Sequence, residues 1–83
     1  MTRNEILATV SKLLAEILDE DSVELTETTA APDVPGWDSF ANINLMVSIE
    51  QAVGVVFKAH EIEALRNVGD LLNSIEQKLA ARK

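Results

Sequence analysis

Cysteine is absent from the 83-residue sequence. The chain therefore has no disulfide, no thiolate metal site and no cysteine nucleophile, and any thiol chemistry would have to come from an attached group. No apolar run approaches the ~18 residues of a membrane-spanning helix, and the segment MTRNEILATV lacks the uncharged apolar stretch of a secretory signal. These absences predict a cytoplasmic protein without membrane insertion.

Basic residues are missing from the middle of the chain. No Lys or Arg lies between Leu13 and Phe57, and the acidic residues of that stretch are Glu16, Asp19, Glu20, Asp21, Glu24, Glu27, Asp33, Asp38 and Glu50. The whole chain has a formal net charge of −7. This charge disfavours nucleic acid and anionic membranes as partners and favours proteins with basic surfaces.

The length also limits the architecture. A chain of 83 residues with 47% hydrophobic content can build one small domain with a thin core. We expect residues 1–83 to form a single domain and the protein to be a monomer.

Apolar periodicity predicts the first and last helices. The first extends from about Arg3 to Leu18, where apolar residues recur at helical spacing, and Thr2 with Glu5 forms a capping box before it. The last helix begins after Asn67, which precedes Asp70 by three positions in a related capping pattern. Its apolar residues are again at helical spacing, and its cations Lys78, Arg82 and Lys83 suit a helix C-terminus.

Residues 19–36 have no sustained period and contain both prolines, which predicts a long ordered loop. Val23 and Leu25 are expected to reach the core. The acids Asp19 to Asp21 suggest the start of a calcium loop. However, Val23, Glu24 and Ala30 stand where that loop needs an oxygen ligand, a glycine and a glutamate. A solvated acidic surface is the better interpretation.

A second helix is predicted from the string WDSF to about Val53, with Asp38 as N-cap and Ser39 as the first helical residue. Trp37 is expected to cover the junction of loop and helix. The predicted inner side of the helix comprises Phe40, Ile43, Met46 or Val47, Ile49 or Glu50, and Val53.

After Gly54, the run Val55 to Phe57 could be a strand, and a short helix is predicted near Ala59 to Leu65. The expected fold is therefore all α. It is a small four-helix bundle with three principal helices, one short helix and a long loop between the first and second helices.

The order of these elements resembles the acyl carrier proteins. The resemblance covers nearly the whole chain and is most specific in GWDSFANINLMVSIEQAVGVVF, supported by NVGDLL downstream. One departure is Phe40, because the family usually has leucine after the serine; the substitution keeps an apolar residue there.

The resemblance implies a carrier rather than an enzyme. Ser39 would accept a 4′-phosphopantetheine arm from coenzyme A, and the thiol of the arm would carry an acyl or aminoacyl group as a thioester. Asp38 would cap the helix and help the modifying enzyme hold its metal. The implied partners are a phosphopantetheinyl transferase and acyl- or aminoacyl-loading and processing enzymes with basic docking surfaces.

The resemblance also indicates a docking surface. Family members commonly have acids two and five residues after the serine, where this chain has Ala41 and Asn44, so that Glu50 would be the only acid on the exposed side of the second helix. This favours a specialised carrier over a general fatty-acid carrier. The predicted partner-binding residues are Phe40, Asn44, Met46, Glu50, Glu61 and Glu63.

Other interpretations remain open on sequence grounds. Asp38 and Ser39 could be only a helix cap, in an unmodified acidic helical module that binds other proteins and keeps the carrier fold. A DNA-binding helical domain is disfavoured by the charge. His60 is expected at the surface, without the further residues of a catalytic triad. The sequence does not distinguish lipid from secondary-metabolite cargo.

Overall fold

Four α-helices form the fold. The computed structural model describes residues 1–81, in which α1 is Arg3–Leu18, α2 is Ser39–Val53, α3 is Ala59–Glu63 and α4 is Val68–Ala81. A short 3₁₀ turn, Ala31–Asp33, lies in the loop between α1 and α2. There is no strand within residues 1–81, and the predicted all-α fold is confirmed. Arg82 and Lys83, predicted to end the last helix, lie outside the described residues.

The helix starts follow from local hydrogen bonds. Thr2 Oγ1 accepts from the Glu5 N–H (3.1 Å), and the Glu5 carboxylate accepts from the Thr2 N–H (2.7 Å), as the predicted capping box requires. Asp38 Oδ1 accepts from the Ala41 N–H at 2.8 Å. Asn67 Oδ1 accepts from the Asp70 N–H at 2.9 Å. These caps satisfy N–H groups that have no partner inside their helices.

The core lies where α1 packs against α2 and α4. The loop adds Leu25 and Trp37 to it, and Val55 and Phe57 add the segment before α3. The fully buried side chains come from all three long helices: Ile6, Val10, Leu14, Leu45, Ile49, Val68, Leu71, Leu72 and Ile75.

The long loop is fastened to the start of α4 by its backbone. The Val68 N–H donates to the Thr29 carbonyl at 2.8 Å, and the Gly69 N–H donates to the Glu27 carbonyl at 2.8 Å. The side chain of Glu27 is bound by Arg3, which lies outside the cation-free stretch. One of the nine acids therefore has a cationic partner from another element, and the loop is ordered against the bundle.

The buried side of α2 differs from the predicted one. Phe40 and Ile43, predicted on the inner side, are 74% and 59% exposed. Of the alternatives Met46 or Val47, Met46 is buried and Val47 is 46% exposed. The buried residues of α2 are Ala41, Leu45, Met46 and Ile49. The helix is apolar on two neighbouring sides, and packing against α1 buries only one of them.

The segment before α3 has no regular secondary structure. Val55 and Phe57 are buried and Val56 is exposed, so the side chains alternate as they would in a strand. The short helix ends at Glu63, whereas about Leu65 was predicted. Leu65 still contacts the core from the connection to α4.

Candidate functional site

The turn Pro35–Gly36 leads the chain into α2. Gly36 has φ +88°, and a β-carbon there would lie 3.3 Å from Leu18 Cδ2. The Asp38 N–H donates to the Gly36 carbonyl at 2.9 Å. Glycine is favoured here because other residues pay a steric cost in the left-handed region. The result is a tight entry that leaves Ser39 exposed as the first residue of α2.

The start of α2 favours an anionic group on Ser39. The first turn of a helix exposes unpaired N–H groups and a partial positive charge, worth about 0.3–1 kcal/mol to a nearby anion at an exposed position. Asp38 uses one carboxylate oxygen to cap the Ala41 N–H, which fixes the geometry of this turn. Ser39 is therefore exposed at a position where an attached anionic group would be stabilised.

A pocket of about 380 Å³ opens beside Ser39. Its volume lies within the roughly 300–1,000 Å³ range of small-molecule sites. Apolar side chains form one part of the wall, namely Ala31, Pro32, Trp37, Met46, Leu65 and Leu71. Polar residues form the other part, namely Asp38, Ser39, Asn42, Arg66 and Asn67. The pocket therefore suits a ligand with both apolar and oxygen-rich segments.

Trp37 forms the wall between the loop and α2. Its ring is buried, and its Nε1–H donates to Asn42 Oδ1 at 3.1 Å. This agrees with the predicted cover over the loop and helix junction. The Asn42 side chain uses its oxygen in this bond and keeps its NH₂ group as a donor. The Asn67 side chain does the same, because its oxygen accepts from the Asp70 N–H.

The site residues fit a 4′-phosphopantetheine arm. The arm is a flexible chain with a phosphate at one end, amide groups along its length and a thiol at the other end. Ser39 offers an exposed hydroxyl at a helix start, and the neighbouring pocket offers amide donors and an apolar wall. The chain has no cysteine of its own, so the thiol of the arm would be the only one in the carrier.

The structure corrects two of the predicted partner-binding residues. Met46 is only 3% exposed and lines the pocket, so it is unavailable for docking. Glu50 is half-buried, and its carboxylate accepts from the Phe57 N–H at 2.7 Å, so it holds the segment before α3 instead of facing a partner. Asp38 and Ser39 both line the pocket.

The other predicted docking residues are more accessible. Phe40, Asn44 and Glu63 are exposed. Glu61 is partly buried, and its carboxylate accepts from Lys78 Nζ at 2.8 Å and from the Lys58 N–H at 2.8 Å. Both donors lower the pKa of Glu61, and the Lys78 side chain has the larger effect. His60 is exposed and does not line the pocket beside Ser39.

Position 41 also differs from the expectation drawn from the resemblance. Ala41, two residues after the serine, is only 5% exposed and belongs to the core. An acid at this position would therefore meet the buried side of α2. Of the two positions considered for acidic docking residues, only Asn44 faces outward.

Two residues of the pocket were missed by sequence reasoning, Asn42 as a hydrogen-bond partner and Arg66 altogether. Arg66 Nε donates to Asp70 Oδ2 at 2.9 Å, which lowers the pKa of the Asp70 carboxyl and raises that of Arg66. The i, i+4 spacing of the pair was visible in the sequence. That Arg66 lines the same pocket as Ser39 depends on the tertiary fold and was not visible in the sequence.

The fold and this site define a small helical carrier domain with an exposed serine at the start of its second helix. No family model matches the chain. It is 32% identical over 78 residues to an acyl carrier protein of Thermotoga maritima, covering 94% of this chain and 96% of the relative. It is also 32% identical over 79 residues to an acyl carrier protein of an Exiguobacterium species, covering 95% and 100%.

A solved structure agrees with these relatives. The solution NMR structure of a holo acyl carrier protein from Geobacter metallireducens matches with a TM-score of 0.84 and 36% identity, over 93% of this chain and 88% of the other. The chain belongs to the acyl carrier protein family.

Membership settles the general role. Members of this family are carriers and not enzymes, and their cofactor is a covalent 4′-phosphopantetheine. The family acts with biosynthetic enzymes and with a phosphopantetheinyl transferase. Within residues 1–81, none of the helices is both long enough and apolar enough to span a membrane.

Proposed function

We propose that Ser39 carries the 4′-phosphopantetheine arm and that the chain shuttles an acyl group between biosynthetic enzymes. The observation that supports this most directly is the position of Ser39, exposed as the first residue of α2 at the edge of a pocket with polar and apolar walls. When attached, the arm supplies the thiol that carries the acyl group as a thioester.

The residues of this chain have three tasks in this function. Asp38 orders the first turn of α2, and the Gly36 turn keeps Ser39 accessible. The apolar wall formed by Trp37, Met46 and Leu71 gives part of an acyl chain a place away from water. An aliphatic acyl group fits this wall better than an aminoacyl group, which would bring a charged amine to it.

We further propose that partners dock on α2 through apolar contacts. Phe40, Ile43 and Val47 form an exposed stripe that begins directly after Ser39. Glu50 is half-buried and one of its carboxylate oxygens accepts from the Phe57 N–H, so α2 presents no fully exposed carboxylate. A specialised partner with an apolar groove suits this surface better than a partner with a basic patch does.

A monomeric state and a cytoplasmic location stay predictions.

Intact-mass measurement after reaction with coenzyme A and a phosphopantetheinyl transferase tests the attachment site. The wild-type chain should gain one phosphopantetheine, and Ser39→Ala should gain none. Ser22→Ala, which removes an exposed loop serine, is the matched control and should be modified like the wild type. Labelling that persists in Ser39→Ala would exclude this serine as the attachment site.

The exposed stripe on α2 also supports a second candidate function. An unmodified interaction module would use Phe40, Ile43 and Val47 to bind a partner without any arm. It predicts no mass change in the transferase reaction and partner binding that survives Ser39→Ala. A mass gain on the wild type together with loss of function in Ser39→Ala favours the carrier.

A further inference from the structure

The pocket beside Ser39 has a single cation in its wall. Arg66, from the connection between α3 and α4, is the only Lys or Arg among the described residues that line it, and its side chain is 83% exposed. The loop and α2, which contribute the lining residues from Ala31 to Met46, contain no Lys or Arg. Asp38, the nearest neighbour of Ser39, adds a negative charge. A phosphate at Ser39 would therefore rely on Arg66 for a cationic partner.

Asp70 already orients the Arg66 side chain. Asp70 Oδ2 accepts from Arg66 Nε at 2.9 Å and from the Arg66 backbone N–H at 3.0 Å, while Oδ1 receives a longer contact from Nη2 at 3.4 Å. A guanidinium has five N–H donors in a rigid plane. Within residues 1–81 its side chain has no partner besides Asp70, so donors remain for an incoming oxygen.

The neighbouring amides extend this set of donors. Asn42 Oδ1 accepts from Trp37 Nε1–H, and Asn67 Oδ1 accepts from the Asp70 N–H. Both residues line the pocket, and each retains its NH₂ group for a ligand. The wall therefore combines one cation with two neutral donors. Such a wall favours a ligand that has an anionic oxygen followed by carbonyl oxygens.

Resting on the proposed attachment at Ser39, we infer that the Arg66 guanidinium binds the phosphodiester that joins the arm to the serine, and so directs the arm across the pocket toward Asn42 and Asn67. A charge-assisted hydrogen bond between arginine and phosphate is stronger and more directional than a neutral one. Arg66 is thus a cofactor-positioning residue of this chain.

The experiment compares apo and holo forms of wild type, Arg66→Gln and the control Lys12→Gln. Lys12 is exposed and lies outside the wall of this pocket, so its loss changes net charge equally without touching the site. The ³¹P chemical shift of the phosphodiester reports its surroundings, and the Arg66 Nη–H resonances report the donors that Asp70 leaves unused. Arg66→Gln loses the pair with Asp70 in both its apo and its holo form. The difference in Tm between the two forms therefore cancels this structural effect.

The Arg66 Nη–H resonances should move when the arm is attached. In Arg66→Gln the ³¹P shift should change, and the holo-minus-apo Tm difference should fall by about 1–5 °C at low salt and by less in 1 M NaCl. Lys12→Gln should behave as wild type. If both variants give the wild-type ³¹P shift and Tm difference, Arg66 does not hold the arm. A wild-type chain that gains no mass instead overturns the attachment proposal, and this inference with it.

Discussion

Arg3, at the start of α1, holds Glu27 in the long loop through a pair of hydrogen bonds. Its Nε donates to Glu27 Oε2 at 2.9 Å and its Nη2 donates to Oε1 at 2.7 Å. The same guanidinium reaches α4, where it contacts Asn73 and Glu76. One side chain therefore joins the first helix, the loop and the last helix.

Arg3→Gln should lower Tm by a few degrees at neutral pH. It should also reduce the fall in Tm that occurs as the pH is lowered. The Arg3 donors hold the pKa of Glu27 below its ordinary value. The stability from this pair is therefore complete above the unfolded pKa of about 4.3 and is lost as the pH falls through the lower folded value. Thermal melts from pH 7 to pH 3 should show a smaller acid loss in the variant. Lys12→Gln, with the same charge change, should keep the wild-type slope; identical slopes in all three proteins would contradict the prediction.

Gly69→Ala should destabilise the fold by about 1–3 kcal/mol, as overpacking in a tight contact does. Gly69 lies in the first turn of α4, where alanine would otherwise be favoured by about 1 kcal/mol. However, an added β-carbon would lie 2.9 Å from the Glu27 carbonyl oxygen, which is backbone and cannot rotate away. Urea unfolding measures the change. Gln77→Ala, at an exposed position of α4, is the control and should be nearly neutral; a Gly69→Ala protein as stable as this control would rule the clash out.

Signals within one turn were sufficient to predict where the three long helices begin. Thr2 with Glu5, Asp38 before Ser39, and Asn67 before Asp70 all act over three residues or fewer, so donor and acceptor belong to the same turn whatever the tertiary fold. For the same reason the exposed Ser39 at the start of α2 could be predicted.

The buried side of α2 could not be predicted in this way. Ile43 and Val47 are as apolar as Leu45 and Ile49, and only the position of α1 decides which pair is covered. Relationships between distant positions were equally hidden, such as the hydrogen bond of Glu50 to the Phe57 backbone and the shared pocket of Arg66 and Ser39. These relationships depend on how the elements pack, and sequence periodicity does not record that.

Glu50→Ala should cost about 1–3 kcal/mol, because it leaves the partly buried Phe57 N–H without an acceptor. Glu50→Gln keeps an acceptor oxygen at the same position and should retain most of the stability. Urea unfolding of both variants tests this. Turnover by partner enzymes should be unchanged in Glu50→Gln if the carboxylate is structural; a loss of turnover without a loss of stability would restore Glu50 as a docking residue.

Raising ionic strength should raise Tm. Five acids lie at the end of α1 and in the first part of the loop, namely Glu16, Asp19, Glu20, Asp21 and Glu24. Within residues 1–81 none of them has a cationic partner within 4 Å. Salt screens their repulsion, because the Debye length falls from about 10 Å at 0.1 M to about 3 Å at 1 M. Melts in NaCl and in millimolar MgCl₂ measure the effect. Glu20→Gln with Asp21→Asn should raise Tm at low salt and weaken the salt dependence; a flat response in the wild type would show that these acids do not repel one another appreciably.

A general fatty-acid synthase enzyme should use the holo form of this chain poorly, because α2 lacks the exposed acids that its basic surface attracts. The substitutions that supply them are Asn44→Glu and Gln51→Glu, at exposed positions seven residues apart and so on one side of the helix. Ala41→Asp is unsuitable because Ala41 is buried. Electrostatic steering contributes about 10–10³ in association rate, so we expect kcat/KM to rise by about tenfold or more at low salt.

The gain should depend on where the charges are placed. Asn4→Glu with Gln77→Glu adds the same net charge at exposed positions of α1 and α4 and serves as the matched control, with little expected change. Salt separates steering from other effects, because a steered gain shrinks as ionic strength rises while a change in apolar contact does not. If the wild-type carrier is already turned over as fast as a general carrier, and the two acids on α2 add nothing, then the apolar stripe of Phe40, Ile43 and Val47 does not define a distinct docking surface.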